Sequence, residues 1–524
     1  MEQTKTAPKR EGWGSKLGVI LAVAGSAVGL GNFLRFPSQA ALNGGGAFMI
    51  PYFISLLILG IPLMWVEWTI GRYGGGFGHG SAPGIFHTMW KKNRFIKYFG
   101  VLGIFAPIVI LSYYTYIESW LLGYAWFSVS GKLSQVAATE QGMRAFLTGY
   151  QGLLPTDHFS GLGYAYLFFL ITFALNAWVI YRGLKGGIEK LCNWAMPTLV
   201  ICGIILTVRV LTIGTPHPET PDNTILNGLG YLWNPDFKAL TNAKVWLAAA
   251  GQIFFTLSIG FGVIMTYASY LNKREDVALS GLTASATNEF VEVILGGSIV
   301  IPAAFAFFGS ARIVEIAQSG SFNIGFVTMP MIFNQIPAGM CFASIWYGLL
   351  FLAGITSSVS MAIPAIAFLE DEFNISRKKA ALITIAIVFF LCQPAILFLG
   401  RGVMDELDFW GGTFCLILAG AIEAILFSWV FGMDKAWEEM HHGAEMSVPS
   451  VFKFILRYIT PVYLLAILGF WLYQEGWPVI LMQGVSVENR PFILWTRIGL
   501  LLFFGLLSYL VWHAWKKRST VTDP

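Results

Sequence analysis

Five uncharged oxygen donors lie inside long apolar runs: Asn32, Thr256, Asn288 and the adjacent pair Thr356 and Ser357. Amide and hydroxyl oxygens set in hydrocarbon suit a hard cation of low charge such as Na+, which takes several oxygen donors with little net negative charge. Taken singly, each is also explained by an ordinary interhelical hydrogen bond. Two of the runs are unusual in a further way. AGSAVGLGNFLRFP, Ala24 to Pro37, sits in an apolar stretch long enough to cross a bilayer, yet it carries Gly25, Gly29, Gly31, Asn32 and Arg35. GQIFFTLSIGFGVIMTYASY, residues 251–270, carries Thr256, Ser258, Gly260 and Gly262 at its centre. Where a helix breaks inside a bilayer, the freed carbonyls and amides need partners, and a cavity holding an ion and a polar solute supplies them. Glycines that merely let helices pack closely are the plain alternative.

The elements that must position these residues follow from composition. The chain has 524 residues, 56% hydrophobic and 12% charged, with a mean hydropathy of +0.65, which excludes an ordinary soluble protein. Apolar segments of spanning length centre near residues 15–40, 45–71, 98–126, 163–182, 192–213, 245–270, 278–307, 340–370, 380–399, 404–431, 452–473 and 491–515. Lys and Arg collect in alternate connections: Lys5, Lys9, Arg10 and Lys16, then residues 91–97, Arg182, Lys185 and Lys190, residues 273–274 and 377–379, Lys435, and residues 516–518. The other connections hold few, among them Lys132, Arg144, Lys238, Lys244, Arg312 and Arg401, so both termini are expected to be cytoplasmic. The two glycine-interrupted segments are the first and the sixth. They occupy matching positions in two five-helix halves, and an odd number of spans per half means opposite insertion. That pattern points to an inverted-repeat secondary transporter with a site at mid-membrane.

Other readings find little support. The five cysteines fall in or beside apolar runs without metal spacing and read as core filler, and no small-residue cleavage site precedes the first apolar run. The net charge of +4 reflects topology rather than nucleic-acid binding. The seven histidines sit in loops or at helix ends, and H-E-x-x-H, G-x-S-x-G and G-x-x-x-x-G-K-[ST] are all missing, so no enzyme and no ATP-driven pump is expected. The Gly-rich stretch at 71–80 lies in a basic loop with no strand before it, which argues against a nucleotide site.

Eight stretches in order carry a family resemblance: GSAVGLGNFLRFP, NGGGAFMIPY, IPLMWVEWTIGRYGG, YYTYIESW, GQIFFTLSIGFG, NEFVEVILGGS, AGITSS and DELDFWGGT. From about Trp13 to the last helix the chain resembles the neurotransmitter:sodium symporter family, and most of all its bacterial leucine-transporter members. The resemblance implies an all-α integral membrane protein of twelve transmembrane helices, a five-plus-five inverted repeat with helices one and six unwound, and two extra helices. It implies a cytoplasmic segment at 1–14, a first repeat at 15–214, a second with its preceding outer loop at 215–432, and the last two helices with a tail at 433–524. The activity implied is Na+-driven import of a neutral amino acid by alternating access, in a bacterial inner membrane. The partners are the amino acid and lipid, with a homodimer compatible. A channel-like or regulatory protein of the same fold, binding without coupled transport, is the alternative.

Carried over residue by residue, the resemblance implies a first Na+ on the Ala27 carbonyl, on Asn32, Thr256 and Asn288, and on the substrate carboxylate. It implies a second on the carbonyls of Gly25, Val28 and Ala353 and the hydroxyls of Thr356 and Ser357. The Leu30 and Gly31 amides would hold the same carboxylate, with Ala27 and Thr256 serving ion and substrate together. The substrate side chain would rest among Val28, Ile110, Tyr114, Phe255, Ser258, Phe261, Ser357 and Met361, an apolar surface suited to an aliphatic or aromatic side chain. Gly29, where monoamine transporters of the family carry Asp, favours a substrate that brings its own carboxylate. Arg35 and Asp408 match the family's outer gate above the Phe261 and Tyr114 rings. Arg10, Trp13, Tyr270 and Asp371 match the inner gate, although cations near helix ends also serve topology. Glu67 and Glu292 are buried-span acids assigned to charge balance, with pairing to Arg or a hydroxyl as the structural alternative. Chloride-dependent members carry Ser at the position of Glu292, so no chloride requirement is expected here. The Glu292→Ser change should open a small anion site between the helix of Glu67, Tyr52, Ser258 and Asn288. Ser26, Ile110, Phe290 and Ile363 depart from the leucine-transporter pattern and put substrate size in doubt.

Overall fold

The computed structural model describes residues 11–522, and the regular elements among them are helices, with one isolated β-bridge between Gly45 and Pro235. Ten are long and apolar enough to cross a membrane, or up to eleven with the bent pair Lys16–Ala27 and Gly31–Leu42, here α1. The others are α2 (Gly46–Gly75), α3 (Ile96–Val129), α4 (Gly163–Tyr181), α5 (Leu184–Leu211), α7 (Ala278–Gln318), α8 (Gly339–Phe373), α9 (Arg377–Leu397), α10 (Val403–Val430), α11 (Val451–Gln474) and α12 (Arg490–Lys517). The remaining element, α6, consists of Ala243–Thr256 and Val263–Ala268, arms too short to pass that test separately.

Both breaks have local causes. The first arm of α1 starts at Ser15, whose hydroxyl accepts the Gly18 amide at 2.9 Å, and it ends where Val28 turns extended (φ −70°, ψ 102°). The chain re-enters a wide π turn at Gly31–Arg35 and continues at Phe36–Leu42, bent by 47° from the first arm. Pro37 follows directly on that π turn, as the second residue of the α-helical stretch. In α6, Asn242 caps the first turn, and the link after Thr256 holds Ser258, Gly260 and Gly262 at φ 54°, 81° and 69°. Left-handed backbone suits the two glycines, and Ser258 is a rare non-glycine held there by its surroundings.

Two spans differ from the expected bounds. Helix α5 begins at Leu184 rather than near 192, because Glu11 accepts the Leu184 amide at 2.8 Å and anchors a polar π turn over Leu184–Glu189 that hydropathy does not register. Helix α7 runs past 307 to Gln318, kinked at Gly309 (φ 79°). The core centres on α3 and α8, which form the largest helix–helix interface and whose apolar windows are each 83% buried. Against them lie α1, α6 and α10. The corresponding values for α11 and α12 are 22% and 11%, which puts these helices at the periphery.

Candidate functional site

At the first break the helical hydrogen-bond ladder is diverted. A continuous helix would bond the Gly29 and Leu30 amides to the carbonyls of Gly25 and Ser26. Instead Gly29 N–H donates to Asn32 Oδ1 at 2.8 Å and Leu30 N–H to the Tyr114 hydroxyl at 3.3 Å. The released carbonyls converge on α8. Ser357 Oγ lies 3.3 Å from Gly25 O, 3.1 Å from Ser26 O, 3.2 Å from Val28 O and 3.1 Å from Ala353 O. Thr356 Oγ1 lies 3.2 Å from the same Ala353 oxygen. One hydroxyl hydrogen cannot serve four acceptors, so the cluster has the oxygen surplus of a hard-cation site. Every residue expected for the second Na+ is in it, with Ser26 O in addition.

A second cluster forms where α1, α6 and α7 meet. Asn32 Nδ2 donates to Asn288 Oδ1 at 2.9 Å and to Thr256 Oγ1 at 3.3 Å, and Asn288 Nδ2 donates to Thr256 Oγ1 at 3.0 Å. Two π turns bring these groups together, Gly31–Arg35 in α1 and Phe290–Gly296 in α7. Their approach needs Gly296: a Cβ there would stand 2.2 Å from Asn32 O. The Thr256 hydroxyl donates onward to Glu292 Oε2, while Glu292 Oε1 accepts from Tyr52 and from Gln252, each at 2.9 Å. Ser258 does not join this shell as expected. The turn of the α6 link aims its hydroxyl at Ser26 O, 3.0 Å away, and Gln252 occupies the shell instead. Glu67 stands apart from the cluster, accepting the Gly260 amide at 2.6 Å.

Between the clusters lies a cavity of about 230 Å³. Ala27, Leu30, Gly31, Ile110, Tyr114, Phe255, Thr256, Ser258, Phe261, Ser357 and Met361 line it, as does Gly29. Val28 is the exception, since its side chain is packed at 0% exposure away from the lining and only its carbonyl reaches the Ser357 cluster. The cavity continues past Tyr113, Ile117 and Phe322 to Asp405 and Asp408. Tyr113 and Ile117 follow Ile110 and Tyr114 on one helical face, a spacing from which they were readable. Arg35 and Asp408 face this upper part without pairing. Arg35 donates to Gln252 Oε1 at 3.0 Å with its guanidinium 4.4 Å from the Phe255 ring centroid, and Asp408 accepts the Tyr113 hydroxyl at 2.5 Å.

The pattern of the sodium:neurotransmitter symporter family matches residues 10–145 and 153–479. The chain belongs to that family. It is 33% identical to an uncharacterized sodium-dependent transporter of Methanocaldococcus jannaschii over 88% of this chain and 90% of that protein. It is 25% identical to the sodium-dependent dopamine transporter of Caenorhabditis elegans, over 88% of this chain and 80% of that one. Among solved structures, MhsT in complex with L-phenylalanine matches with a TM-score of 0.74 and 31% identity, over 88% of this chain and 99% of that one. The protein is thus a sodium-dependent membrane transporter and not an enzyme.

Of the residues expected at the inner gate of this symporter, Arg10 lies outside the described residues. Trp13 Nε1 donates to Tyr267 O at 3.1 Å and packs edge-on against that ring. Tyr270 accepts from Arg377 at 3.5 Å, and Asp371 accepts the Gly80 amide at 2.7 Å. Besides Gln252, Arg377 and Glu189 escaped sequence reading. Arg377, counted there only as a topological cation, pairs with Glu11 at 3.0 Å and Glu370 at 3.4 Å. Glu189 accepts from Gly14 N at 2.7 Å and Ser15 Oγ at 3.1 Å, fastening the start of α1 to α5. Neither carries a local motif.

Proposed function

We propose that this symporter couples the import of one neutral L-amino acid to two Na+ ions, one in each oxygen cluster, without chloride. The observation that carries the reading is an apolar cavity floored by two sets of neutral oxygen donors at the breaks of α1 and α6. The cavity bears no Asp at Gly29 to meet a substrate amine, and the L-phenylalanine bound by MhsT supports an amino acid. The substrate carboxylate faces the Leu30 and Gly31 amides and the first Na+. In a low-dielectric pocket each charge removes part of the other's desolvation cost, so ion and substrate bind cooperatively and reciprocally. Glu292, one hydroxyl away from that ion through Thr256, offsets the added positive charge and takes the place of chloride. Arg35 and Asp408 then close above the substrate, and the Trp13, Tyr270 and Asp371 layer opens below. The helices divide into repeats at 15–214 and 215–432 with both termini in the cytoplasm of a bacterial cell. Purified protein in sealed vesicles should accumulate a labelled neutral amino acid only under an inward Na+ gradient. Equilibration without accumulation would mean a channel, and binding without uptake a receptor.

A further inference from the structure

Asp405 and Asp408 of α10 line the upper part of the cavity, and Glu406 between them does not. Residues 405 and 408 share one helical face, whereas 406 projects away from it. There Glu406 meets α12. Arg497 Nε donates to Glu406 Oε1, and the same oxygen accepts Trp410 Nε1 at 2.6 Å. The two remaining guanidinium nitrogens donate to the carbonyls of Ile480 at 2.8 Å and Val479 at 2.9 Å. Those carbonyls close the helical turn Trp477–Ile480, where no continuing helix supplies a donor. The side chains of Arg497 and Glu406 are only 15% and 10% exposed. Arg497 itself belongs to α12, which begins at Arg490, beyond the stretch that the family pattern matches.

A guanidinium is planar, so its three nitrogens donate in fixed directions within one plane. Arg497 satisfies all three only when the first turn of α10, the 479–480 carbonyls and α12 stand in one relative placement. The bond to Glu406 is charge-assisted and largely shielded from water, which separates it from the exposed ion pairs that contribute little. A cation in a span is costly to keep, yet this one does not line the cavity. We propose that Arg497 is a positioning residue for the Arg35–Asp408 gate: it fixes Glu406, and with it the orientation of the turn that presents Asp405 and Asp408 to the cavity. This role rests on Arg35 and Asp408 being the gate. Asp408 is then held from two sides, by the Tyr113 hydroxyl on α3 at 2.5 Å and by a turn anchored to α12. It is the stationary half of the gate, and Arg35 on the second arm of α1 is the half that travels. Helix α12, peripheral by burial, thereby acts on the solute path through one side chain.

The test reads substrate protection of a thiol at the cavity mouth, Phe322→Cys in a Cys341→Ala background, against an impermeant thiol reagent in Na+. The probe is whichever of L-phenylalanine, L-leucine and L-alanine the parent binds most tightly. R497Q, D408N and the R497Q/D408N double variant are compared, each first checked for monodisperse elution. R497Q should lessen the protection, and in the D408N background it should lessen it no further, because Arg497 acts through the turn that carries Asp408. Parent-like protection in R497Q, even with a lowered thermal midpoint, would mean that Arg497 only holds helices together and overturns the positioning role. Losses that add in the double variant overturn it as well. Reduced protection in D408N beside full protection in R497Q leaves the gate standing without Arg497. Full protection in D408N removes the gate and the positioning role with it. If R497Q does not fold, E406A decides in the same way, since it leaves Arg497 on its two carbonyls and removes only the hold on α10.

Discussion

Ser357 offers one hydrogen to four carbonyl oxygens, and that imbalance is the clearest chemical signature in the molecule. An ion bound there replaces unsatisfied oxygens with coordinated ones, so deleting its side-chain donors should weaken Na+ directly. Asn32→Ala should raise the Na+ concentration needed for substrate binding by roughly five- to 150-fold, from about 1–3 kcal/mol for one buried polar group lost, and Thr356→Val combined with Ser357→Ala, which removes two, should raise it further. Asn32→Ala should also weaken the substrate itself, through the shared carboxylate. Scintillation binding at varied Na+ checks both, and unchanged Na+ dependence in both would remove the ion assignment. Glu292 makes a different prediction. With Tyr52, Gln252 and Thr256 donating toward its position, Glu292→Ser leaves three donors around a vacant anion volume, so uptake should become chloride-dependent while the parent works equally in gluconate. A mutant indifferent to chloride would make Glu292 a structural acid. The neutral donors were legible in sequence because polar atoms in hydrocarbon stand out there. Gln252 was not, because its role exists only across helix contacts.

The breaks of α1 and α6 are elements in which backbone, rather than side chain, does the chemistry. Glycine-rich interruptions of apolar spans made them readable in advance, and the structure places them at 28–30 and 257–262. The π turns were not readable, because one extra residue in a helical turn leaves hydropathy unchanged while re-aiming everything after it. The turn over Phe290–Gly296 carries Glu292 and ends at the glycine that touches Asn32 O. Gly296→Val should therefore force α7 away from α1, with an overpacking cost of about 1–3 kcal/mol. Because the displaced backbone is that of Asn32, the loss should appear mainly in Na+ and substrate affinity. Binding assays and thermal unfolding of the same preparation separate the two effects. Unaltered affinity alongside a lowered unfolding midpoint would mean that the π turn serves packing alone.

At the scale of the whole molecule, the two ends of the solute path differ. At one end the cavity reaches Asp405 with Arg35 and Asp408 held by other partners, while at the other Trp13 is bonded to Tyr267 and Glu189 fastens Gly14 and Ser15. Alternating access requires that these conditions exchange, and a ligand can drive the exchange only by binding one arrangement more tightly than the other. In the proposed binding mode Na+ alone fills the oxygen clusters on the cavity floor, whereas the substrate also touches Phe261 and Tyr114, which line the cavity as well. Substrate together with Na+, rather than Na+ alone, should therefore close the upper cavity. Phe322, 39% exposed and lining its mouth, reports this as Phe322→Cys in a Cys341→Ala background that removes the exposed native thiol. An impermeant thiol reagent should label it readily in Na+, and more slowly once substrate is added. Asp408→Asn, which removes the partner proposed for Arg35 in the closed arrangement, should lessen that protection. If substrate leaves the labelling rate unchanged in the parent background, closure does not pass through this end of the cavity, and Arg35 and Asp408 are not its gate.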